Sequence, residues 1–426
     1  MIGLSKIVKN TLFKRIFIYG LSDSISKVAP FIIIPIILKY LTPEDYGRVA
    51  NFMAVSNMFI PLILLNGHTY YTIEFHKTSI IERESLFWNI FNISCLLLLL
   101  AIIFTSIFKQ VFFESFGLGI NWIYGAVFLS FFNGFILFFE AIQRMYEKVK
   151  LFAAIKISNS ILSALLALLF VVGFNLSWEG RIYAFILTSF ITLSIYFFIQ
   201  TKFKLTFNFK IATGFLAFGL PLLPHSLAGW ARSAVEKGMV TSITSIGDNG
   251  ILAVAGLSMV VIGIVSTSIF SAINPEILSL LAKIDQGNND KKKRSIVIMS
   301  LTSIFTIAIV IFLFYPINYL FFKYYLDESY LEGFRYVPFF LISSFFGAIY
   351  ALFSLYIINE KKSKLLSKIT VTSVIIHLII TYFALRTYGV MGMVIATTFF
   401  SFFQSVVVAY YAHKLRPMPW LSIFKK

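Results

Sequence analysis

LFWNIFNISCLLLLLAIIFTSIF, residues 86–108, runs for 23 positions without a charged side chain. Coiled as an α-helix it is about 35 Å long, enough to cross hydrocarbon roughly 30 Å thick. Comparable runs recur along the chain, at about 16–41, 46–66, 119–141, 151–173, 181–201, 212–240, 249–273, 295–320, 334–359, 364–386 and 389–412. A membrane β-barrel would instead show short segments of alternating polarity. Helices are then the way left to satisfy the backbone in lipid. Composition agrees. Only 13% of the 426 residues are charged and 58% are hydrophobic, with a mean hydropathy of +0.86. A soluble domain carries about 25% charged residues. The expected fold is an all-α polytopic membrane protein of about twelve transmembrane helices, with no sizeable soluble domain.

The net charge of +17 would suggest nucleic acid in a soluble chain. Here its distribution gives another reason. With both termini in the cytoplasm, the outer loops and outer span ends hold nine basic residues: Lys39, Arg48, Lys109, Arg181, Arg232, Lys237, Lys323, Arg335 and Arg386. Lys27 and Lys156 lie within spans, and the other 25 of the 36 Lys and Arg fall on the cytoplasmic side. That is the bias expected of helical membrane proteins, and an odd number of spans would scramble it. No basic face is interleaved with base-stacking aromatics, so nucleic-acid binding is not expected. The single cysteine, Cys95, sits in an apolar run, which leaves no disulfide framework and no thiol metal site. The basic N-terminus lacks a short apolar region with a cleavage site and reads as a retained cytoplasmic segment.

The chain repeats itself. Asp45-Tyr46-Gly47-Arg48-Val49-Ala50 follows the first span and Asp248-Asn249-Gly250-Ile251-Leu252-Ala253 the seventh, at an offset of 203. Glu147-Lys148 and Glu360-Lys361 precede spans five and eleven, and Gly180 with Ala184 and Gly392 with Ala396 open spans six and twelve, at similar offsets. The expected organisation is two six-helix halves, 1–205 and 206–426, an arrangement transporters use to build a site between repeats.

Ionisable groups inside a membrane are the most informative positions, because each is costly unless paired or hydrated. Asp23 and Lys27 share one face of the first span at i,i+4 spacing; Arg232 and Glu236 repeat that spacing in the seventh, with Lys237 adjacent. At the repeat offset Lys27 and Arg232 fall at similar depth, so these residues either line a common cavity or form neutral pairs that lock their helices. Glu140 with Arg144 reads as a solvated pair at a cytoplasmic helix end. Lys156 reads as a snorkelling lysine or a substrate contact. Pro30 and Pro35, with Pro221 and Pro224, allow bending of the first and seventh helices. His225 and His377 are lone histidines, suited to proton relay or to a hydrogen bond between helices. Glu74, Glu82, Arg83 and Glu84 read as a solvated amphipathic stretch. The sequence contains no phosphate-cradling glycine loop, zinc-protease motif or nucleophile elbow.

Three stretches carry a family resemblance. Leu38-Lys39-Tyr40-Leu41-Thr42-Pro43-Glu44-Asp45-Tyr46-Gly47 follows the first span. Phe218-Gly219-Leu220-Pro221-Leu222-Leu223-Pro224, with Trp230 after it, opens the seventh. Tyr388-Gly389-Val390-Met391-Gly392-Met393-Val394-Ile395-Ala396-Thr397 opens the twelfth. Together they resemble the O-antigen-type flippases, the polysaccharide-transporter branch of the multidrug/oligosaccharidyl-lipid/polysaccharide exporter superfamily. Glu236-Lys237 stands where that family often has Asp-Arg, which keeps the charges and loses the bidentate contact of arginine. The resemblance implies a non-enzymatic flippase in the bacterial cytoplasmic (inner) membrane. Its substrate would be an undecaprenyl-diphosphate-linked oligosaccharide, an O-antigen (lipopolysaccharide) or capsule repeat unit, moved to the outer leaflet by alternating access.

It further implies a cationic cavity in which Lys27, Arg232 and Lys237 meet the diphosphate or acidic sugars. Asp23 and Glu236 would act as coupling sites or charge partners, Lys156 and His225 as further candidates, and H+ or Na+ as coupling ion. No cofactor or metal is expected, and the partners are the lipid-linked substrate and membrane lipids. Two rivals remain: a multidrug/cation antiporter of the same superfamily, expected to carry an excess of acids in its cavity, and a membrane glycan polymerase, expected to carry a large external loop.

Overall fold

The computed structural model describes residues 18, 21–22, 25–26, 32–200, 207–284 and 289–420. Backbone contacts divide the chain into two compact units, Met1–Gly250 and Ile251–Lys426.

In the first unit, residues 32–37 are helical, and eight labelled helices follow. They are α1 (Pro43–Leu64), α2 (Gly67–Glu74), α3 (Ile80–Ile107), α4 (Lys109–Phe116), α5 (Ile120–Met145), α6 (Val149–Ala167, running into a π turn at Leu168–Gly173), α7 (Ser177–Gln200) and α8 (Phe209–Ile243). α9 (Ile246–Ala255) carries the boundary between the units. The second unit holds α10 (Leu257–Lys283), α11 (Asn289–Tyr325), a 3-10 segment at Glu328–Tyr336, α12 (Val337–Asn359) and α13 (Ser363–Leu415).

Among the described residues, nine helical stretches are long and apolar enough to cross a membrane. The last of them, α13, is two helices joined at Gly389, whose φ of 58° and ψ of −151° break the helical path in a region open to glycine and strained for other residues. They match the two predicted spans on either side of that glycine. α8 supplies the seventh span, with its apolar part at Phe209–Pro224. The predicted first span lies largely outside the described residues. The fold is all-α and polytopic, of about twelve transmembrane helices, and the compact units divide after the seventh predicted span rather than at residue 205.

The opening stretch of sequence shows how these helices face their solvent. Along α3, Leu96, Leu99, Leu100, Ile103 and Ile107 are exposed on one stripe, while Asn89, Ser94 and Thr105 are fully buried. A soluble protein would reverse this. Two of the polar side chains on this helix bond inward: Thr105 Oγ1 donates to the Ala101 carbonyl of its own helix at 2.9 Å, and Ser106 Oγ pairs with Tyr124 Oη of a neighbour at 2.8 Å. In lipid no hydrophobic force drives helices together, so packing and interhelical hydrogen bonds do that work. The packing here is aromatic. Phe52, Phe59, Phe135, Phe138, Phe139, Trp88 and Tyr196 are sealed in the first unit, and Phe139 stacks on Tyr196 with ring centroids 5.1 Å apart.

The sequence repeat at offset 203 has a structural counterpart inside the first unit. Thr42 Oγ1 accepts from the Asp45 amide at 3.1 Å to cap α1, and Ser245 Oγ accepts from the Asp248 amide at 3.0 Å to start α9. The two helices then cross at their glycines. A Cβ on Gly47 would lie 2.0 Å from the Ile246 carbonyl oxygen, and a Cβ on Gly250 1.8 Å from that of Pro43. Ile246 is four residues before Gly250 and Pro43 four before Gly47, so the contact is reciprocal. Asn51, one turn further along α1, donates to the Phe116 carbonyl and to Thr241 Oγ1, both at 2.8 Å, and accepts from Asn249 at 2.6 Å.

Candidate functional site

The first unit contains a polar cavity of about 230 Å³ among α5, α6 and α7, bordered also by Ser26 and Met53. α6 builds one wall because Lys156, Asn159, Ser160 and Ser163 recur at i, i+3, i+4 and i+7 and so share a helix face. α5 contributes Asn133 and Glu140, two turns apart, and α7 contributes Thr188 and Ser189. The amides are held by neighbours. Ser189 Oγ donates to Asn133 Oδ1 and Thr192 Oγ1 to Asn159 Oδ1, both at 2.9 Å. Ser160 Oγ donates to the Ser26 carbonyl at 2.7 Å.

At one end of this cavity the charges meet. Glu140 is 7% exposed; Lys156 Nζ donates to its Oε2 at 3.1 Å, and Arg144 Nη2 lies 3.7 Å from the same oxygen. Both cations also flank one aromatic ring, the Phe152 centroid being 4.9 Å from the Arg144 guanidinium and 5.1 Å from Lys156 Nζ. The sequence suggests a solvated Glu140–Arg144 pair and treats Lys156 apart. The structure instead buries Glu140 and binds Lys156 to it. The signal was present in the polar stripe on α6, which a reading of isolated charges passes over.

α8 places the other charges. Arg232 Nε lies 3.7 Å from Glu236 Oε1, one turn apart on the same face. Lys237 is rotated about 100° from Glu236 and donates to the Ala50 carbonyl of α1 at 3.4 Å. Asp23, Lys27 and the side chain of His225 lie outside the described residues. His377 in the second unit is buried, with its ring 4.4 Å from that of Phe400 and its nitrogens 3.4 Å from Thr381 Oγ1. Arg83 is not solvated in the manner its sequence suggests, because its guanidinium lies over the Phe75 ring, 3.8 Å from the centroid. Among the described residues no three His, Cys, Asp or Glu come together as a metal site.

The arrangement can hold a polyhydroxylated or anionic group. Amide and hydroxyl side chains line the cavity, and two cations share one carboxylate at its end.

Comparison with known proteins places the fold. The chain resembles the inward-facing conformation of a multidrug resistance MATE family transporter of the MOP superfamily, with a TM-score of 0.72 at 13% identity over 91% of this chain and 94% of that one. It also resembles the MATE multidrug transporter DinF-BH, with a TM-score of 0.66 at 15% identity over 95% of this chain and 96% of that one. No curated protein matches it in sequence. The profile of a family described as "Polysaccharide biosynthesis protein" matches residues 12–281. The chain therefore belongs to that polysaccharide biosynthesis family, and its multi-pass helical fold is similar to that of the two MATE transporters.

Proposed function

We propose that the protein flips a lipid-linked oligosaccharide, an O-antigen or capsule repeat unit on undecaprenyl diphosphate, from the cytoplasmic to the outer leaflet. It does so by alternating access coupled to H+ or Na+, as a carrier with no enzymatic step. The observation that carries this reading is the polar cavity of the first unit, on a chain of the polysaccharide biosynthesis family. Asn133, Asn159 and the serines suit sugar hydroxyls, and the charge excess beside them suits an anion. In the two described clusters, Glu140 and Glu236 stand against Arg144, Lys156, Arg232 and Lys237. A carrier for cations needs the opposite balance, which disfavours the drug-antiporter reading. We assign Lys27, Arg232 and Lys237 to the diphosphate or acidic sugars, Lys156 and His225 to further contacts, and Asp23 and Glu236 to coupling or charge balance. Deleting the gene should abolish surface polysaccharide and leave lipid-linked repeat units on the inner leaflet. Unchanged surface polysaccharide with lost efflux of a cationic dye would favour the antiporter.

The site is proposed to operate in the inner membrane with both termini cytoplasmic, on the charge bias described above. Reporter fusions at Asn121, Asn249 and Glu328 should read external, and fusions at Asn208 and Asn288 cytoplasmic. A reversed reading at Asn249 or Asn288 contradicts this topology.

A further inference from the structure

A second cavity, of about 180 Å³, opens at the end of the first unit where the α2–α3 and α5–α6 turns come together. Its wall includes Arg83 and Lys148, with Tyr71, Trp88 and Tyr146 as aromatic neighbours and Glu84 as its carboxylate. Arg83 is held in place by rings. Its guanidinium carbon is 3.8 Å from the Phe75 centroid and 6.0 Å from that of Tyr146, and Phe75 meets Tyr146 edge-on at 4.9 Å. Lys148 Nζ is 5.8 Å from the same Tyr146 ring. Stacking fixes the plane of the guanidinium while leaving its N–H donors unspent. Its Nε is buried with no hydrogen-bond partner, a state that proteins rarely leave unsatisfied. No carboxylate among the described residues pairs with Arg83 or Lys148.

We propose that this pocket binds the phosphate of an anionic membrane-lipid headgroup. A planar guanidinium and a point-charge ammonium across one small cavity match the oxygens of a phosphate group. The rim identifies a lipid as the source. Ile80, on the pocket wall, and Ile81 beside it are exposed by 68% and 80%, next to cations that belong at headgroup level. Apolar side chains that point outward there would lie among acyl chains while Arg83 and Lys148 reach the phosphate. Glu84 opposes the anion and sets the affinity below its maximum. The pocket is separate from the cavity of α5, α6 and α7, and the proposal does not depend on the transported substrate.

The test is native mass spectrometry of the full-length protein in detergent, titrated with dioctanoyl phosphatidylglycerol, dioctanoyl phosphatidylcholine or inorganic phosphate. One phosphatidylglycerol should be retained in preference to phosphatidylcholine. Arg83→Ala and Lys148→Ala should each weaken retention about tenfold, the loss of one charge-assisted contact, and Glu84→Gln should strengthen it severalfold. Lys148 and Glu84 are exposed, so those two variants decide the matter even if Arg83→Ala disturbs the aromatic packing. Retention unchanged in Lys148→Ala and in Glu84→Gln would overturn the site. Inorganic phosphate displacing the lipid at equal concentration would overturn its assignment to a lipid.

Discussion

Replacing Gly47 or Gly250 with alanine is expected to destabilise the protein more than any other single methyl addition in the first unit. Each new Cβ would sit about two ångströms from a backbone carbonyl oxygen, Ile246 O or Pro43 O. Backbone cannot rotate aside as a side chain can, so the two helices must separate. Overpacking of this kind costs about 1–3 kcal/mol, and separation also threatens the Asn51 hydrogen bonds to Phe116, Thr241 and Asn249. Thermal unfolding of purified variants should show each glycine variant melting several degrees below wild type. The double variant should lose less than the two single losses combined, because one displacement relieves both clashes. Gly263→Ala is the control. Nothing lies within 4 Å of its added Cβ, and alanine favours helix over glycine, so its melting temperature should hold or rise. A Gly47→Ala variant as stable as wild type would refute the close crossing.

The second large effect is expected at Lys156. Lys156→Met takes from the buried Glu140 the nearer of its two described cations and keeps the more distant, half-exposed Arg144. Removing one partner of a buried pair strands the other charge. With Arg144 still present, a loss of about 1–3 kcal/mol is expected, below the fully buried range. Transport should fall about a hundredfold or more, since a cation about 4 Å from an anion contributes roughly 4 kcal/mol at an effective dielectric near 20. The double variant Glu140→Gln with Lys156→Met separates the two consequences. Neutralising both partners should bring stability back to within about 1 kcal/mol of wild type, and transport should stay lost because the cation is still missing. Recovery of transport together with stability would make the ion pair purely structural.

How far the sequence reveals these features follows from the physics of each. The spans were legible because lipid demands long uncharged runs, and no local propensity can hide a stretch such as 86–108. The break at Gly389 was legible for a similar reason, as two apolar runs meet at a glycine. The repeat of Asp45–Gly47 at Asp248–Gly250 was visible as letters. That the two copies touch is a tertiary fact that spacing cannot encode, since a helix does not record which neighbour its glycine faces. The polar cavity was half legible. The stripe of Lys156, Asn159, Ser160 and Ser163 could be read by periodicity, yet its pairing with Glu140 spans two helices and appears only on folding. Arg83 was misjudged because a cation among acids reads as solvated. Only the fold brings Phe75 and Tyr146 around it.

The most direct test of the proposed transport is a leaflet-accessibility assay in proteoliposomes. Purified protein is reconstituted with an undecaprenyl-diphosphate-linked oligosaccharide carrying a fluorescent sugar, and a membrane-impermeant quencher is added outside. With wild-type protein under an imposed H+ or Na+ gradient, the fluorescence shielded in the inner leaflet should become quenchable over time, and Lys156→Met should slow that loss about a hundredfold. Fluorescence that stays shielded with wild-type protein, while the same vesicles move a cationic dye, would contradict the account.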